Sequence, residues 1–334
     1  MRASLCLLCL LAACGCIRVR AEVWQPSAGH AQIPIWPDKP PAALPTPGPE
    51  YVLTGRKLIG GRPVTAVFNV SQPTMTVYAP SAGNSGAAVV VFPGGGFAGL
   101  AIDLEGTDAC DWLTSIGITC VLLKYRVPSA PYDWHCNCRP NDLELSLPSL
   151  QDAQRTIRLV RMQAGKWHID PNKIGVLGFS AGGYLVAEVS TDFKRRLYAP
   201  MDAADKMSAR PDFAMSIYPG HLATEKDTLN PNVPVSHETS PTFLVQAEDD
   251  HVDGVRQSLV YYAALAKARV PAELHIYSRG GHAFGLRATS LPITHWPKLA
   301  DAWLHRMGII GNLSMKTPRS AERRSVRYHC RELD

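Results

Sequence analysis

A serine inside a glycine-rich hexapeptide has the surroundings that a nucleophile requires. Ser180 lies within Gly178–Gly183 (GFSAGG), directly after an apolar run and before an amphipathic stretch. Glycines on both sides permit the sharp strand-to-helix turn that lifts a serine hydroxyl clear of a sheet. The pattern G-x-S-x-G also occurs in structural turns, so its position at such a junction carries the interpretation. We predict that Ser180 is a nucleophile.

A serine hydroxyl needs a base to take its proton, and an acid to fix the tautomer of that base. Among eleven histidines, His282 lies in the glycine-rich segment GGHAFG that follows the last predicted strand. The acid is expected after the preceding strand, where Glu248, Asp249 and Asp250 are consecutive. We predict Asp250, because Val252 can pack that loop onto the sheet, and Asp249 is the alternative. The order Ser, acid, His accompanies this type of turn.

A second glycine-rich turn, Phe92–Phe97 (FPGGGF), follows another predicted strand. The backbone N–H groups of Gly95 and Gly96, joined by that of Ala181, are predicted to stabilise the oxyanion of a tetrahedral intermediate. The alternative is a phosphate cradle. The turn lacks the Lys-Ser/Thr ending of a P-loop and the G-x-G-x-x-G spacing, so we favour the oxyanion hole.

Short apolar runs that alternate with amphipathic stretches must position these residues. Continuous apolar runs indicate strands that are covered on both faces, and their alternation with helices predicts a doubly wound, mostly parallel sheet flanked by helices. A hairpin of residues 64–70 and 75–78 about the turn 71–73 is predicted to precede them. The predicted strands are 88–92, 118–125, 173–179, 213–218, 241–247 and 273–277, and the predicted helices are 106–116, 149–166, 181–191, 254–267 and 296–307.

Length and composition narrow the class of protein. The chain has 334 residues, of which 46% are hydrophobic and 19% are charged, which excludes a disordered chain and a polytopic membrane protein. Residues 1–21 hold three arginines without an acid, and residues 315–334 hold six bases against three acids. Removing these two +3 ends from the net charge of +5 leaves about −1 for the body. A nucleic-acid partner is therefore not predicted.

The first 21 residues are predicted to be an export signal. Arg2 precedes an apolar run from Leu5 to Ala13 that is too short to span a bilayer. Two processing sites compete: one ends at Ala21, and the other lies before Cys14, which would then carry a lipid. That lipid is the only membrane attachment that the sequence predicts, and either site places the protein outside the cytoplasm as a periplasmic or secreted protein.

The remaining chain divides into three predicted segments. Residues 22–50 contain eight prolines, which forbid a regular helix or a central strand, so we predict an extended arm. Residues 51–311 hold the whole strand–helix alternation and form one predicted catalytic domain. Residues 312–334 are predicted to be a basic, disordered tail.

Cysteine usage leaves the disulfide pairing open. The odd number of cysteines beyond residue 21 leaves at least one outside an intramolecular disulfide. The Cys-x-Cys pair beside His135 lacks the second pair that zinc sites use, so we predict neither a metal nor a cofactor. The five cysteines are Cys110, Cys120, Cys136, Cys138 and Cys330.

The irregular insertion 127–146 is the predicted wall of the substrate pocket. It leaves the carboxyl end of one strand, which is the edge of the sheet that also presents Ser180 and His282. Tyr132 and Trp134 are the predicted substrate contacts. Bulky aromatic rings there would favour acyl groups of about two to four carbons, and they could stack against a sugar ring.

Over residues 33–308 the chain resembles bacterial α/β-hydrolase esterases of the acetylxylan and feruloyl esterase group, which are related to the dienelactone-hydrolase and prolyl-oligopeptidase branch. One departure is that Phe92-Pro93 replaces the His-Gly that usually opens the oxyanion turn of the family. The motifs that carry the resemblance are 33–37 (IPIWP), 70–80 (VSQPTMTVYAP), 123–128 (LKYRVP), 152–155 (DAQR), 158–161 (RLVR), 178–183, 210–213 (RPDF), 218–219 (YP) and 281–282 (GH).

The resemblance implies an α/β-hydrolase fold and a serine esterase that removes short acyl groups, acetyl above all, from xylan or related plant carbohydrates. A feruloyl esterase or a general short-chain carboxylesterase is the alternative within the group. A peptidase of the same fold and a non-catalytic binding protein are further alternatives. The residues alone imply acyl transfer and leave the acyl group open.

Overall fold

The structure is a computed structural model that describes residues 23–42, 48–127 and 142–311, with the side chains of 142–145 excepted. The predicted export signal with Cys14, the basic tail with Cys330 and most of the insertion lie outside the described residues. So do the predicted substrate contacts Tyr132 and Trp134, and the cysteines at positions 136 and 138.

The described residues form eleven strands and five α-helices, joined by short 3₁₀-helices and one π-helical turn, Asp103–Thr107. The strands are β1 (Ile33–Pro34), β2 (Tyr51–Ile59), β3 (Arg62–Phe68), β4 (Thr74–Tyr78), β5 (Ala88–Phe92), β6 (Gly99–Leu100), β7 (Thr119–Lys124), β8 (Ile174–Phe179), β9 (Ala214–Ile217), β10 (Thr242–Ala247) and β11 (Ala272–Tyr277). The helices are α1 (Asp108–Ser115), α2 (Asp142–Met162), α3 (Ala181–Thr191), α4 (Arg256–Lys267) and α5 (Trp296–Arg306).

The main sheet has eight strands in the order β1-β4-β7-β5-β8-β9-β10-β11. The six strands from β7 to β11 in this order are parallel to one another, and β4 pairs antiparallel with both β1 and β7. Every residue of β5, β7, β8, β9 and β10 is buried, as the continuous apolar runs predicted. Edge strand β11 is half-buried. The predicted doubly wound sheet is confirmed.

The predicted hairpin of residues 64–70 and 75–78 is wrong. Strand β3 pairs with β2 and with the short β6 in a separate three-stranded sheet, whereas β4 lies between β1 and β7 in the main sheet. Asn69 adopts a positive φ of 56°, and Val70 pairs with Val127, so the chain passes from one sheet to the other. Alternation along a strand identifies its faces and says nothing of which strand it will pair with.

Helix α2 begins earlier than predicted, at Asp142, and contains Pro148. The proline ring removes one helical donor, and the predicted helix, 149–166, starts after it. Tertiary contacts support the turns before and around this residue: Ser146 Oγ donates to Glu188 Oε1 of α3 at 2.8 Å, and Arg126 donates to the Pro148 carbonyl at 2.9 Å. The irregular insertion is correspondingly shorter than residues 127–146.

The described part of the arm is held by a buried polar cluster. Trp36 Nε1 donates to Asp152 Oδ1 at 2.7 Å, and Arg126 Nε donates to both oxygens of the same carboxylate at 3.0 Å. Arg155 Nε donates to the carbonyl of Ile35 at 2.9 Å. We call these five residues the arm cluster. It joins the arm to α2 at Ile35 and Trp36, directly after the first strand of the main sheet.

One disulfide lies among the described residues, between Cys110 of α1 and Cys120 of β7, both of which are buried. Within the same residues, no group of three or more His, Cys, Asp or Glu side chains is arranged to hold a metal ion. Nor does any described helix combine the length and the apolar character that crossing a membrane requires.

Candidate active site

The turn from β8 to α3 places Ser180 in a strained conformation, with φ of 53° and ψ of −120°. Two glycines make this turn sterically accessible. An ideal Cβ on Gly178 would lie 2.1 Å from the carbonyl oxygen of Gly182, and one on Gly182 would lie 2.1 Å from that of Phe92. Side chains at either position would force the turn open, which explains why the motif carries glycines.

The side chains of Ser180, His282 and Asp250 form one hydrogen-bonded chain. His282 Nε2 lies 2.9 Å from Ser180 Oγ, and Nδ1 lies 2.8 Å from Asp250 Oδ2. Ser180 is 9% exposed, whereas the side chain of Asp250 is fully buried, so the carboxylate lies in the interior of the protein. The arrangement allows the imidazole to accept the serine proton while the carboxylate fixes its tautomer.

Asp250 is held in place by the loop that follows β10. Its Oδ1 accepts the backbone N–H groups of Val252 and Asp253 at 2.9 and 3.0 Å, and its Oδ2 accepts from Gln246 Nε2 at 3.0 Å. The reason that we gave for choosing Asp250 is wrong, because the side chain of Val252 is 70% exposed and does not pack on the sheet. Val252 contributes its N–H to the carboxylate instead.

The alternative acid, Asp249, contacts the backbone of the histidine loop. Its Oδ1 accepts the N–H groups of Gly280 and Gly281 at 2.8 and 2.7 Å. The backbone hydrogen bond from Gly281, together with that from Gly280, lowers the pKa of the Asp249 carboxyl. These bonds outweigh desolvation, which acts in the opposite direction. Asp249 therefore shapes the loop that carries His282, and in the described structure the imidazole bonds to Asp250.

Burial disfavours the charged form of His282, yet the hydrogen bond and the charge of Asp250 outweigh it. The charges of Asp253 and Glu105 act in the same direction, so the pKa of the His282 imidazole is raised above its ordinary value. The site thus stabilises an imidazolium, the form that the base reaches after taking a proton.

The second glycine turn lies directly against the nucleophile. An ideal Cβ on Gly94 would come within 2.9 Å of Ser180 Cβ. The carbonyl of Gly94 accepts from Ala101 N at 2.9 Å, and Gly95 and Gly96 both have positive φ. Ala181 begins α3, next to this turn. The oxyanion role of the Gly95, Gly96 and Ala181 amides stays a prediction.

A buried carboxyl that the sequence analysis missed connects this turn to the histidine loop. Glu105, on the π-helical turn, is 2% exposed, and its two oxygens accept from Gly94 N at 2.7 Å and from Tyr218 Oη at 2.9 Å. The Tyr218 oxygen accepts from Gly285 N at 3.2 Å, and its ring centroid lies 5.1 Å from that of His282. Burial raises the pKa of Glu105 despite these bonds.

Two further neighbours of the site were also missed. Asp253 Oδ2 lies 3.8 Å from His282 Nε2. His221 is half-buried, with its ring centroid 5.4 Å from that of Tyr184 and 6.0 Å from that of Phe97. Neither residue belongs to a motif, so only their spatial neighbours could have identified them.

The sheet and the Ser–His–Asp arrangement define the chain as an α/β hydrolase. Residues 150–307 match the prolyl oligopeptidase family. The structure of an acetyl ester-xyloside bifunctional hydrolase from Caldicellulosiruptor lactoaceticus is similar, with 33% identity, a TM-score of 0.66, and coverage of 84% of this chain and 97% of that one. By these similarities, the chain belongs to the α/β-hydrolase carbohydrate esterases.

Two longer proteins are also related to the chain. An acetylxylan esterase of Xylanibacter ruminicola is 30% identical over 248 residues, which are 67% of this chain and 45% of that protein. Endo-1,4-beta-xylanase B of Butyrivibrio fibrisolvens is 26% identical over 217 residues, which are 58% of this chain and 32% of that protein. The chain therefore spans less than half the length of either relative.

Proposed function

We propose that the protein is a serine esterase that hydrolyses short-chain acyl esters, chiefly acetyl groups on xylan or related plant carbohydrates. The observation that supports this most is the hydrogen-bonded chain from Asp250 through His282 to Ser180, with distances of 2.8 and 2.9 Å. Relatives named for acetyl esters of xylan and xylosides support the choice of substrate.

In the proposed reaction, Ser180 Oγ attacks the acyl carbon while His282 Nε2 takes its proton. The N–H groups of Gly95, Gly96 and Ala181 stabilise the resulting oxyanion. The imidazolium then returns the proton to the departing alcohol oxygen, which leaves an acyl-enzyme. Water, deprotonated by the same imidazole, then attacks the acyl carbon. The bond to Ser180 Oγ breaks, the imidazolium donates its proton to that oxygen, and the carboxylic acid leaves. Asp250 keeps the imidazole oriented throughout.

The proposal also includes segments that lie wholly or partly outside the described residues. Tyr132 and Trp134 wall the pocket, and residues 1–21 direct export, with Cys14 as the anchored residue if cleavage occurs before it. Residues 22–50 form the arm, residues 51–311 the catalytic domain and residues 312–334 the tail. The run of apolar residues after Arg2 and the prolines of the arm support these assignments.

A substrate panel tests the proposed function. We expect the purified protein to release acetate from acetylated xylan, and to hydrolyse p-nitrophenyl acetate and butyrate faster than the octanoate. Ser180→Ala is the matched control, and it should be inactive on every ester. Faster cleavage of methyl ferulate than of acetylated xylan would identify a feruloyl esterase instead.

The match to the prolyl oligopeptidase family makes peptide cleavage the second candidate. Peptidyl p-nitroanilides therefore belong in the same panel. Cleavage of these amides without hydrolysis of any ester would contradict the proposal. It would also be contradicted if the correctly folded protein hydrolysed none of the esters or amides.

A further inference from the structure

Glu105 is a buried carboxyl that contacts two separate segments of the site. It lies on the π-helical turn between β6 and α1. Its Oε2 accepts the backbone N–H of Gly94 at 2.7 Å, within the turn Phe92–Phe97 that we call the oxyanion turn for its predicted role. Its Oε1 accepts the hydroxyl of Tyr218 at 2.9 Å, and Tyr218 in turn contacts the histidine loop, residues 280–285. One carboxylate therefore joins both segments that the proposed reaction uses.

The bond to the oxyanion turn fixes Gly94 beside the nucleophile. An ideal Cβ on Gly94 would lie 2.7 Å from Glu105 Oε2 and 2.9 Å from Ser180 Cβ, so the carboxylate and the serine both pack on this glycine. The N–H of Gly94 donates to the carboxylate, and its carbonyl accepts a backbone hydrogen bond at 2.9 Å. Because both polar groups of Gly94 are bonded, it is a fixed point from which the amides of Gly95 and Gly96 extend.

Tyr218 carries the connection to the histidine loop. Its hydroxyl donates to Glu105 and accepts the N–H of Gly285 at 3.2 Å. Its ring lies against the imidazole of His282, with 5.1 Å between the two centroids. Tyr218 is fully buried and has a positive φ of 38°, a conformation that persists in a residue with a side chain only where its surroundings enforce it. The bond to Glu105 is one of the contacts that hold it there.

The two bonds to Glu105 have the directions that an ionised carboxylate requires. Oε2 accepts from a backbone N–H, which can only donate, and Oε1 accepts the single hydroxyl proton of Tyr218. Burial raises the pKa of the Glu105 carboxyl, and the charge of Asp103 adds to the rise. The two bonds and the charge of His282 oppose it. A negative charge at Glu105 in turn stabilises the imidazolium that His282 forms in the proposed reaction.

We propose that Glu105 is a positioning residue, whose carboxylate holds the amides of the oxyanion turn and the imidazole of His282 in one fixed arrangement. The groups that stabilise the oxyanion and the group that moves the proton then keep their separation throughout the reaction. The benefit appears in the transition state, because the bound ester carries no oxyanion. This inference rests on the proposed esterase function and explains how the same site is held in its reactive geometry.

The test compares kcat with KM for p-nitrophenyl acetate in the full-length protein. Glu105→Gln keeps the shape of the side chain and one acceptor oxygen, whereas Tyr218→Phe removes only a hydroxyl. Loss of one oxyanion donor lowers kcat by about 10²- to 10³-fold, so we expect displaced donors to lower it by about 10- to 100-fold in each variant. Acylation and deacylation both pass through an oxyanion, so KM should change little.

A double variant tests whether the two residues act as one connection. If Glu105 acts on the histidine loop through Tyr218, the loss of kcat in Glu105→Gln with Tyr218→Phe should be close to that in Glu105→Gln alone. If the two residues act independently, the losses multiply. A double variant whose loss equals the product of the single losses would overturn the proposed connection.

The pH dependence provides a readout that a purely structural role would not change. Glu105→Gln removes one of the negative charges that raise the pKa of His282, so the acid limb of kcat/KM should move to lower pH. The shift should be partial, because the other carboxylates beside the imidazole remain. The titratable groups that face this imidazole are Asp250, Asp253, Glu105 and Tyr218. An unmoved limb would contradict the role of the Glu105 charge.

Tyr198→Phe is the matched control. Tyr198 is also a buried tyrosine whose hydroxyl donates to a carboxylate, that of Asp205 at 2.7 Å, and accepts from a side-chain N–H, that of Arg158 at 2.8 Å. The control variant should lose a similar amount of stability in a urea unfolding experiment, while its kcat and its acid limb stay unchanged. A loss of kcat in Tyr218→Phe no larger than that in Tyr198→Phe would overturn the inference.

The remaining outcomes also decide the inference. Unchanged kcat in folded Glu105→Gln and Tyr218→Phe would overturn it and leave the esterase proposal standing. If Glu105→Gln does not fold, Tyr218→Phe alone decides, because a lower kcat at constant KM supports the inference and an unchanged kcat overturns it. Inactivity of the unmodified protein on p-nitrophenyl acetate and on acetylated xylan would contradict the proposed function itself, and the inference with it.

Discussion

Asp152 and Asp250 are both buried acids, and the partners around them differ in kind. In the arm cluster, Asp152 accepts from Trp36 and from the guanidinium of Arg126, which keeps its charge at every ordinary pH. At the candidate active site, Asp250 bonds to the imidazole of His282, whose charge changes near neutral pH. Burial raises the pKa of Asp152 against the effect of Arg126, but its cationic partner does not titrate. Asp250, in contrast, is coupled to a group that can take up and release a proton.

The comparison teaches that the partner of a buried carboxylate decides its role. With a permanent cation as partner, the acid stabilises the fold, so loss of this ion pair is expected to lower the free energy of unfolding. A titrating partner makes the acid part of a proton-transfer system, and its loss is expected to appear in the reaction rate. Four variants or conditions separate these two expectations.

The largest effect is expected from His282→Ala. The substitution removes the base while leaving the sheet intact, so turnover of p-nitrophenyl acetate should fall by about 10⁵-fold with an unchanged melting temperature. Release of p-nitrophenol by the purified variant measures the turnover, and a thermal melt gives the melting temperature. Near-normal turnover would show that another base acts at this site.

The next effect is expected from Asp250→Asn. An amide in place of the carboxylate no longer stabilises the imidazolium or enforces its tautomer, so kcat should fall by about 10³- to 10⁴-fold. Asp249→Asn is the matched control. In the hydrogen bonds described, the Asp249 carboxylate accepts from the backbone of the histidine loop and not from the imidazole, so this substitution should lower kcat far less. The reverse order of the two variants would transfer the orienting role to Asp249.

At the arm cluster, Arg126→Met should lower the free energy of unfolding by about 3–5 kcal/mol, because it leaves the Asp152 carboxylate buried without its cation. The kcat of the folded fraction should stay near that of the unmodified protein. Urea unfolding provides the measurement. Arg256→Met serves as the control, since it breaks an exposed ion pair and should cost no more than about 1 kcal/mol. A large loss of kcat in folded Arg126→Met would break the comparison.

The smallest effect concerns pH. Catalysis needs the neutral imidazole, and the pKa of His282 is raised above its ordinary value of 6.5, so the acid limb of kcat/KM should lie above that pH. The bonds that raise this pKa stabilise the fold fully below 6.5, and the stabilisation is lost as pH rises through the raised value. Asp253→Asn removes one contributing charge and should move the acid limb to lower pH. An unmoved limb would contradict the contribution of that charge.

The sequence predicted the elements of the sheet well because their burial leaves a local signature. Strand β5 and helix α3 have the predicted bounds, and β10 differs by one residue. A strand that is covered on both faces has a continuous apolar sequence, and a tight turn between strand and helix requires glycines, so both can be recognised from their own residues. The residues Ser180, His282 and Asp250 could be proposed for the same reason, since each follows a recognisable strand.

What the sequence could not supply depends on neighbours that are distant along the chain. The partner of β3, the helical turns before Pro148 and the bonds of Glu105 are all decided by contacts across the fold. The role of Asp249 is another case, because it is set by the amides of residues 280 and 281. Motif spacing contains no information about such pairings.

Strand β11 ends the main sheet with one side that has no neighbouring strand among the described residues. Such a border is a template onto which a strand of another molecule could add, which is a route to aggregation. Glu273 and His275 lie two residues apart on β11, with 2.7 Å between Oε1 of the first and Nε2 of the second. Arg306 of α5 forms an ion pair with Glu273. An incoming strand would have to desolvate the charged groups of Glu273 and Arg306. The border of the sheet is therefore a poor template for a strand of another molecule.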